Sequence, residues 1–234
     1  MARLICPEEV PRHEWCGGMW YKNFVDDLHA VVGLCWQPAG SEHEAHWHDA
    51  PELYVVLEGS AKTLTEDGMV EIRAGQSLEI PGRAIHNTIA GPDGMLFLFF
   101  FPDGPQETRC YCWTHDKCPG AGSPCVRGCG ESKRTKRKAI VDGETWRQEV
   151  VTLPRPGAML TKGHRFVYVH TGEVVVAGIT ATAGQLVDLG SHGDNKLLKT
   201  KQDDTSLVFC TPLQSPSTDS ETSSVTSEKI DYLN

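Results

Sequence analysis

Apolar and polar positions along this chain alternate in short runs, and no long segment carries the 3.6-residue spacing of a helix. Residues 29–38 place Val31, Val32, Leu34 and Trp36 in a first strand-like run. Residues 52–57 form another. Glu52, Tyr54 and Val56 fall on one face of it, because strand side chains alternate sides. Glu66-Asp67-Gly68 reads as a hairpin turn, and a further run follows at residues 76–80. Residues 84–89 and 95–101 read as two more strands, the second too short for a buried helix. Strand-like material resumes at residues 145–153. Many short strands, punctuated by 23 glycines and 14 prolines, predict an all-β sandwich or barrel.

The pattern occurs twice. Glu-Leu-Tyr-Val-Val-Leu-Glu-Gly at 52–59 is matched by Arg-Phe-Val-Tyr-Val-His-Thr-Gly at 165–172. Ala-Gly-Gln at 74–76 is matched by Ala-Gly-Gln at 183–185. The chain therefore divides into an N-terminal arm (1–28) packed outside the core, a first barrel (29–103), an insert (104–144), a second barrel (145–213) and a tail (214–234). The tail is rich in serine and threonine and has little to bury, which predicts disorder.

Composition narrows the partners. A net charge of −9 argues against nucleic acid or an anionic membrane. No apolar run is long enough to span a bilayer and the first residues lack a secretory pattern, so a cytoplasmic protein is expected. Nine cysteines then read as reduced thiols or metal ligands rather than disulfides. Cys110, Cys112, Cys118, Cys125 and Cys129 cluster in the insert beside His115, but without the paired spacing of a zinc ribbon. A mobile loop with free thiols is the preferred reading, with a lid over the first barrel as a hypothesis. The basic run from Lys133 to Lys138 reads as a solvated linker.

The chemistry concentrates in residues 40–59. His46 and His48 lie two apart and point the same way on a strand. Glu52 opens the next run, and His86 follows a turn at Pro81-Gly82. Three imidazoles and a carboxylate converging on one point suit one divalent metal: Zn, Fe, Mn or Ni. In the second copy the matching positions are Met159, Thr161, Arg165 and Asn195, which predicts a barrel without metal.

Gly40, His46, His48, Glu52 and Gly59 match every fixed position of the first motif of the cupin superfamily, which this stretch resembles. Gly75, Pro81 and His86 match the second motif. Arg83 and Ala90 stand where that motif has glycine and asparagine, with Gly82 and Asn87 close by. The resemblance implies two jelly-roll barrels in tandem, a bicupin, with His46, His48, Glu52 and His86 holding one divalent ion, Fe(II) for preference. Cupins use this cage in lyases, dioxygenases, isomerases, decarboxylases and binding proteins, so the cage does not choose a reaction. Tyr54, two after Glu52, and Tyr111, just beyond the last strand, resemble the tyrosines of the small cupin dimethylsulfoniopropionate lyases. That resemblance implies Tyr54 as general base and Tyr111 as a positioning group. The expected function is a metal-dependent enzyme on a small carboxylated molecule, a lyase first and an Fe(II) dioxygenase second. A metal-containing binding module is the third reading. Two barrels in one chain can cover each other's sheets, which makes a monomer as reasonable as a homodimer.

Overall fold

The computed structural model describes residues 2–65, 68–102, 104, 109–110, 136–137, 140–142, 146–161, 163–190 and 195–212. Tyr111, His115, Cys112, Cys118, Cys125, Cys129 and the tail lie outside these residues. Among the described residues there are twenty strands, two short 3-10 turns and no α-helix. None of it is a helix long and apolar enough to cross a membrane.

The N-terminal segment carries β1 (Arg3–Ile5), β2 (His13–Glu14) and β3 (Trp20–Asp27). The first barrel follows: β4 (Ala30–Gln37), β5 (Glu42–Trp47), β6 (Glu52–Thr65), β7 (Gly68–Arg73), β8 (Ser77–Ile80) and β9 (His86–Phe101). The connecting strands are β10 (Arg109–Cys110), β11 (Lys136–Arg137) and β12 (Ile140–Asp142). The second barrel contains β13 (Trp146–Leu153), β14 (Ala158–Leu160), β15 (Phe166–Thr171), β16 (Glu173–Val176) and β17 (Ile179–Thr182). It is completed by β18 (Leu186–Asp188), β19 (Leu197–Thr200) and β20 (Thr205–Pro212).

β6 and β9 are the spine of the first barrel and pair antiparallel along most of their length. The runs at 84–89 and 95–101 are one bent strand, because β6 continues past Gly59 and supplies a partner for residues 86–90. Gly59 makes that bend possible. Its φ is +74°, and a Cβ there would sit 2.0 Å from the Gly94 carbonyl oxygen.

Strand alternation divides β6 between two cores. Tyr54 and Val56 point into the first barrel with Leu78, Ile80, Phe97 and Phe99. Leu53, Val55 and Leu57 point outward and meet Phe166, Tyr168, Leu186 and Val208 of the second barrel. This explains a run apolar at every position, since both faces are covered. The second barrel has its own interior around Val167, Val169, Val187 and Phe209.

The N-terminal segment differs from the expected outer arm. β3 pairs with β4 from Trp20 to Asp27 and is part of the first sheet, while β1 pairs with β18 of the second. β4 would otherwise present an open edge, and β3 closes it. The basic run also differs from a wholly solvated linker. Lys136 and Arg137 pair with Glu79 and Leu78 on the free edge of β8.

The second barrel keeps the fold and loses the ligands. The ladder that sets His46 opposite His86 sets Leu160 opposite Leu197, and Thr161 N donates to Lys196 O. Counting from Gly59 and Gly172, Ala61 pairs with Ala90 in the first barrel and Val174 with Thr200 in the second. Lys196 therefore takes the His86 place, one residue on from Asn195, and Thr161 rather than Met159 faces it. Arg165, at the Glu52 place, lies 2.8 Å from Asp27 of the first barrel and 3.2 Å from Asp188. It is an ion-pair clamp between the barrels.

Candidate metal centre

β5 brings His46 and, just past its end, His48 into the first barrel, β6 begins with Glu52, and β9 begins with His86. Ladder pairing places His46 directly opposite His86. All four side chains are buried, and one ligand atom from each lies within 4.8 Å of the others. This is the one such cluster among the described residues.

Each imidazole is oriented by a carbonyl. The Nδ1 of His46 donates to Glu44 O at 2.7 Å, that of His48 to Ala50 O at 2.7 Å, and that of His86 to Ala84 O at 2.9 Å. All three Nε2 atoms thereby face the centre, the arrangement metal-binding histidines use. His86 Nε2 is buried, makes no hydrogen bond and lies 3.5 Å from Glu52 Oε2. His48 Nε2 donates to the same oxygen at 3.0 Å.

The charges agree with a cation site. Burial opposes ionisation of Glu52, but the imidazoles of His48 and His86 outweigh it and hold the carboxyl below its usual range. Burial, with His86 and His43 nearby, keeps His46 neutral. Burial also works against a charged His48, yet its hydrogen bond to Glu52 raises its pKa. The Glu52 carboxylate thus favours a positive charge at His48 Nε2, where a metal ion's charge would also be favoured. Three neutralisable imidazoles around one carboxylate fit a divalent transition metal in donor type and number.

Tyr54 is buried two residues after Glu52, on the same face as expected, and its ring lies 4.6 Å from that of Phe97. Thr88 and Glu52 are the polar side chains that act on its phenol. Burial first, and then the charge of Glu52, pushes its pKa well above the ordinary tyrosine value. A cavity of about 240 Å³ opens beside Glu52, His46 and Tyr54, walled by Phe97, Phe99 and Phe101.

Three features of this cavity were not read from the sequence. His43 lines it, with its ring 4.4 Å from His46. Residues three apart on a regular strand face opposite ways, but a bulge between His43 and His46 turns both inward. Cys35 also lines the cavity, and burial pushes its thiol pKa up. Trp15, Trp20 and Tyr21 of the N-terminal segment complete the wall. Beyond the cavity, β10 lies along β5 and sets Cys110 opposite His46, so the insert departs from the edge of the centre. Tyr111 is the next residue and lies outside the described ones.

The Arg83 position now has a physical account. Arg83 holds a left-handed φ of +65° where the cupin motif has glycine, and its amide donates to His48 O at 2.7 Å. Gly82 is required for closeness instead, since a Cβ there would meet Asp49 O at 2.2 Å.

Residues 34–101, which form the first barrel's core strands, match the cupin domain family. Among curated proteins, dimethylsulfoniopropionate lyase DddW of Ruegeria pomeroyi is 42% identical over 85 residues, which is 36% of this chain and 55% of the lyase. This chain thus spans about half the length of that relative. Among solved structures, an oxalate decarboxylase superposes with a TM-score of 0.67 at 16% identity, covering 90% of this chain and 77% of the other. A Bacillus subtilis oxalate decarboxylase, studied for its Mn(II) centres, gives 0.64 at 14% identity over the same shares. These likenesses establish the two-barrel fold.

Proposed function

We propose that the chain is a metal-dependent lyase that performs β-elimination on a small carboxylate, with dimethylsulfoniopropionate as the first substrate to test. The observation that carries the reading is Tyr54. It is buried two residues after Glu52 and lines the same cavity as Glu52 and His46. The likeness to a dimethylsulfoniopropionate lyase over 85 residues supports the same chemistry.

In this proposal His46, His48, Glu52 and His86 hold the metal, Fe(II) for preference, though Zn, Mn and Ni suit the same donors. When bound, a divalent cation supplies a Lewis acid for the substrate carboxylate and a positive charge that favours the ionised form of Tyr54. Tyr54 Oη takes the proton on the carbon next to the carboxylate. The freed electron pair forms the carbon–carbon double bond while the carbon–sulfur bond breaks. Dimethyl sulfide leaves with its bonding pair and acrylate remains, so the reaction needs no oxidant. Thr88 orients the phenol, and Phe97, Phe99 and Phe101 exclude water from the transfer. Tyr111, next in sequence to Cys110, takes the assisting role in this proposal.

The test is dimethyl sulfide release by metal-loaded protein under argon and under air. Equal rates are expected. Tyr54→Phe should retain the metal and lose about 10²- to 10⁴-fold in kcat, the usual worth of a general base. An absolute requirement for O2 would overturn the lyase in favour of a dioxygenase, and tight ligand binding without turnover would leave a binding module.

A further inference from the structure

We propose that Trp15 and Tyr21 of the N-terminal segment are specificity-determining residues, forming an aromatic wall that holds a methylated cationic group at the ligand's far end from the metal centre. The inference rests on the proposed carboxylate substrate and extends it to the opposite side of the cavity. Both residues lie outside the span that matches the cupin domain family, so this wall is supplied by the chain's own N-terminal extension.

The wall is built, not incidental. A tight turn over Cys16–Gly18, with positive φ at Gly17 and Gly18, lets Trp15 N donate to Met19 O at 2.7 Å and fixes the Trp15 backbone over the barrel. The Trp15 ring stands edge-on to Tyr21 at 5.9 Å and to His43 at 5.6 Å. His43 in turn lies against the metal-centre residue His46. Trp15 stays 46% exposed and so is open to a ligand from the cavity side.

The polarity of the cavity chooses the sign of the missing group. Among the described lining residues there is no lysine or arginine. Asp26 lines the cavity, and Asn23 Oδ1 is a buried acceptor with no hydrogen bond. A ligand carboxylate therefore has its counter-charge at the metal centre alone. The rest of the wall offers acceptors and aromatic faces, which favour a positive group with little hydration. The chain makes a contact of this kind itself: the Arg12 guanidinium sits 4.9 Å over the Trp20 ring. His13 stacks on one face of Tyr21 at 5.0 Å, and Trp15 and Tyr21 both line the cavity.

The test uses metal-loaded full-length protein and two probes of equal shape, titrated by calorimetry. One is trimethylammonio-propionate, and the other is its neutral isostere with carbon in place of nitrogen. The wild type is expected to prefer the cation about tenfold, within the range for aromatic contacts with partly desolvated cations. Trp15→Leu and Tyr21→Leu should each cut that preference to about threefold or less while the neutral probe still binds. Should Trp15→Leu lose its thermal transition, Trp15→Phe decides, with a preference reduced about threefold by its weaker face. No preference in the wild type, or an unchanged preference in the variants, overturns the wall. The lyase reading fails separately. Preference without dimethyl sulfide release leaves the wall standing, and release without preference leaves the lyase standing.

Discussion

Arg165→Met tests whether the residue at the Glu52 place in the second barrel joins the two barrels. In the wild type the guanidinium lies 2.8 Å from Asp27 and 3.2 Å from Asp188, with 11% of the side chain exposed. Methionine keeps the length and removes the charge. Asp188, 7% exposed, would be left with the Gly190 amide and with Arg3, which is itself largely in solvent. Asp27, 37% exposed, would keep only the amides of His29 and Ala30. Breaking a buried pair costs about 3–5 kcal/mol, and the partial exposure of Asp27 and the remaining Arg3 contact reduce this to about 2–3 kcal/mol. Urea unfolding followed by tryptophan fluorescence reads the loss. Adding Asp188→Asn to the variant should restore more than half of it, since a neutral amide tolerates burial better than an unpaired carboxylate. The pH dependence has a definite sign. Burial opposes ionisation of Asp27, but Arg165 and the two amides lower its pKa below 3.8. The stabilisation is present above 3.8 and is lost as pH falls through the lower folded value, so wild type and variant should converge in acid. A loss below about 0.5 kcal/mol at neutral pH would refute the clamp, because that is the size of an ordinary surface pair.

Other outcomes follow from the centre and its turn. His46→Ala should abolish bound metal and turnover together, measured by elemental analysis and dimethyl sulfide release, and full activity in that variant would sink the ligand assignment. Metal should bind more weakly as pH falls, because it competes with the proton on His48 Nε2, and titrations at several pH values check this. In the metal-free protein, burial lowers the His43 pKa from 6.5 to about 4. That neutral histidine is favourable above 6.5 and its contribution is lost as pH falls towards 4, visible as a falling thermal midpoint. Arg83→Gly should leave the midpoint unchanged or higher, since relief of the left-handed strain, about 1–2 kcal/mol, offsets the greater chain entropy of glycine, about 0.5–1 kcal/mol. Arg83→Ile should lower it.

The four-residue cluster was legible because its members obey local rules. His46 and His48 share a strand face by period two, and Glu52 and Tyr54 share another. The repeat was legible for the same reason. Gly59 and Gly172 both hold positive φ, with φ of +74° and +89°, and glycine is the residue that tolerates it. Those features depend on spacing within a few residues, and spacing is what a sequence displays. The rest depended on partners far along the chain. A bulge, set by how β5 meets β9, turned His43 inward against its spacing. Pairing with β6 fused two apparent strands into β9, and pairing between β16 and β19 moved the His86 place to Lys196. The N-terminal segment looked like packing material, and only the tertiary structure set Trp15 and Tyr21 on the cavity wall and Asp27 beside Arg165. Local alternation determines which side chains can face inward, and long-range strand pairing decides which of them meet.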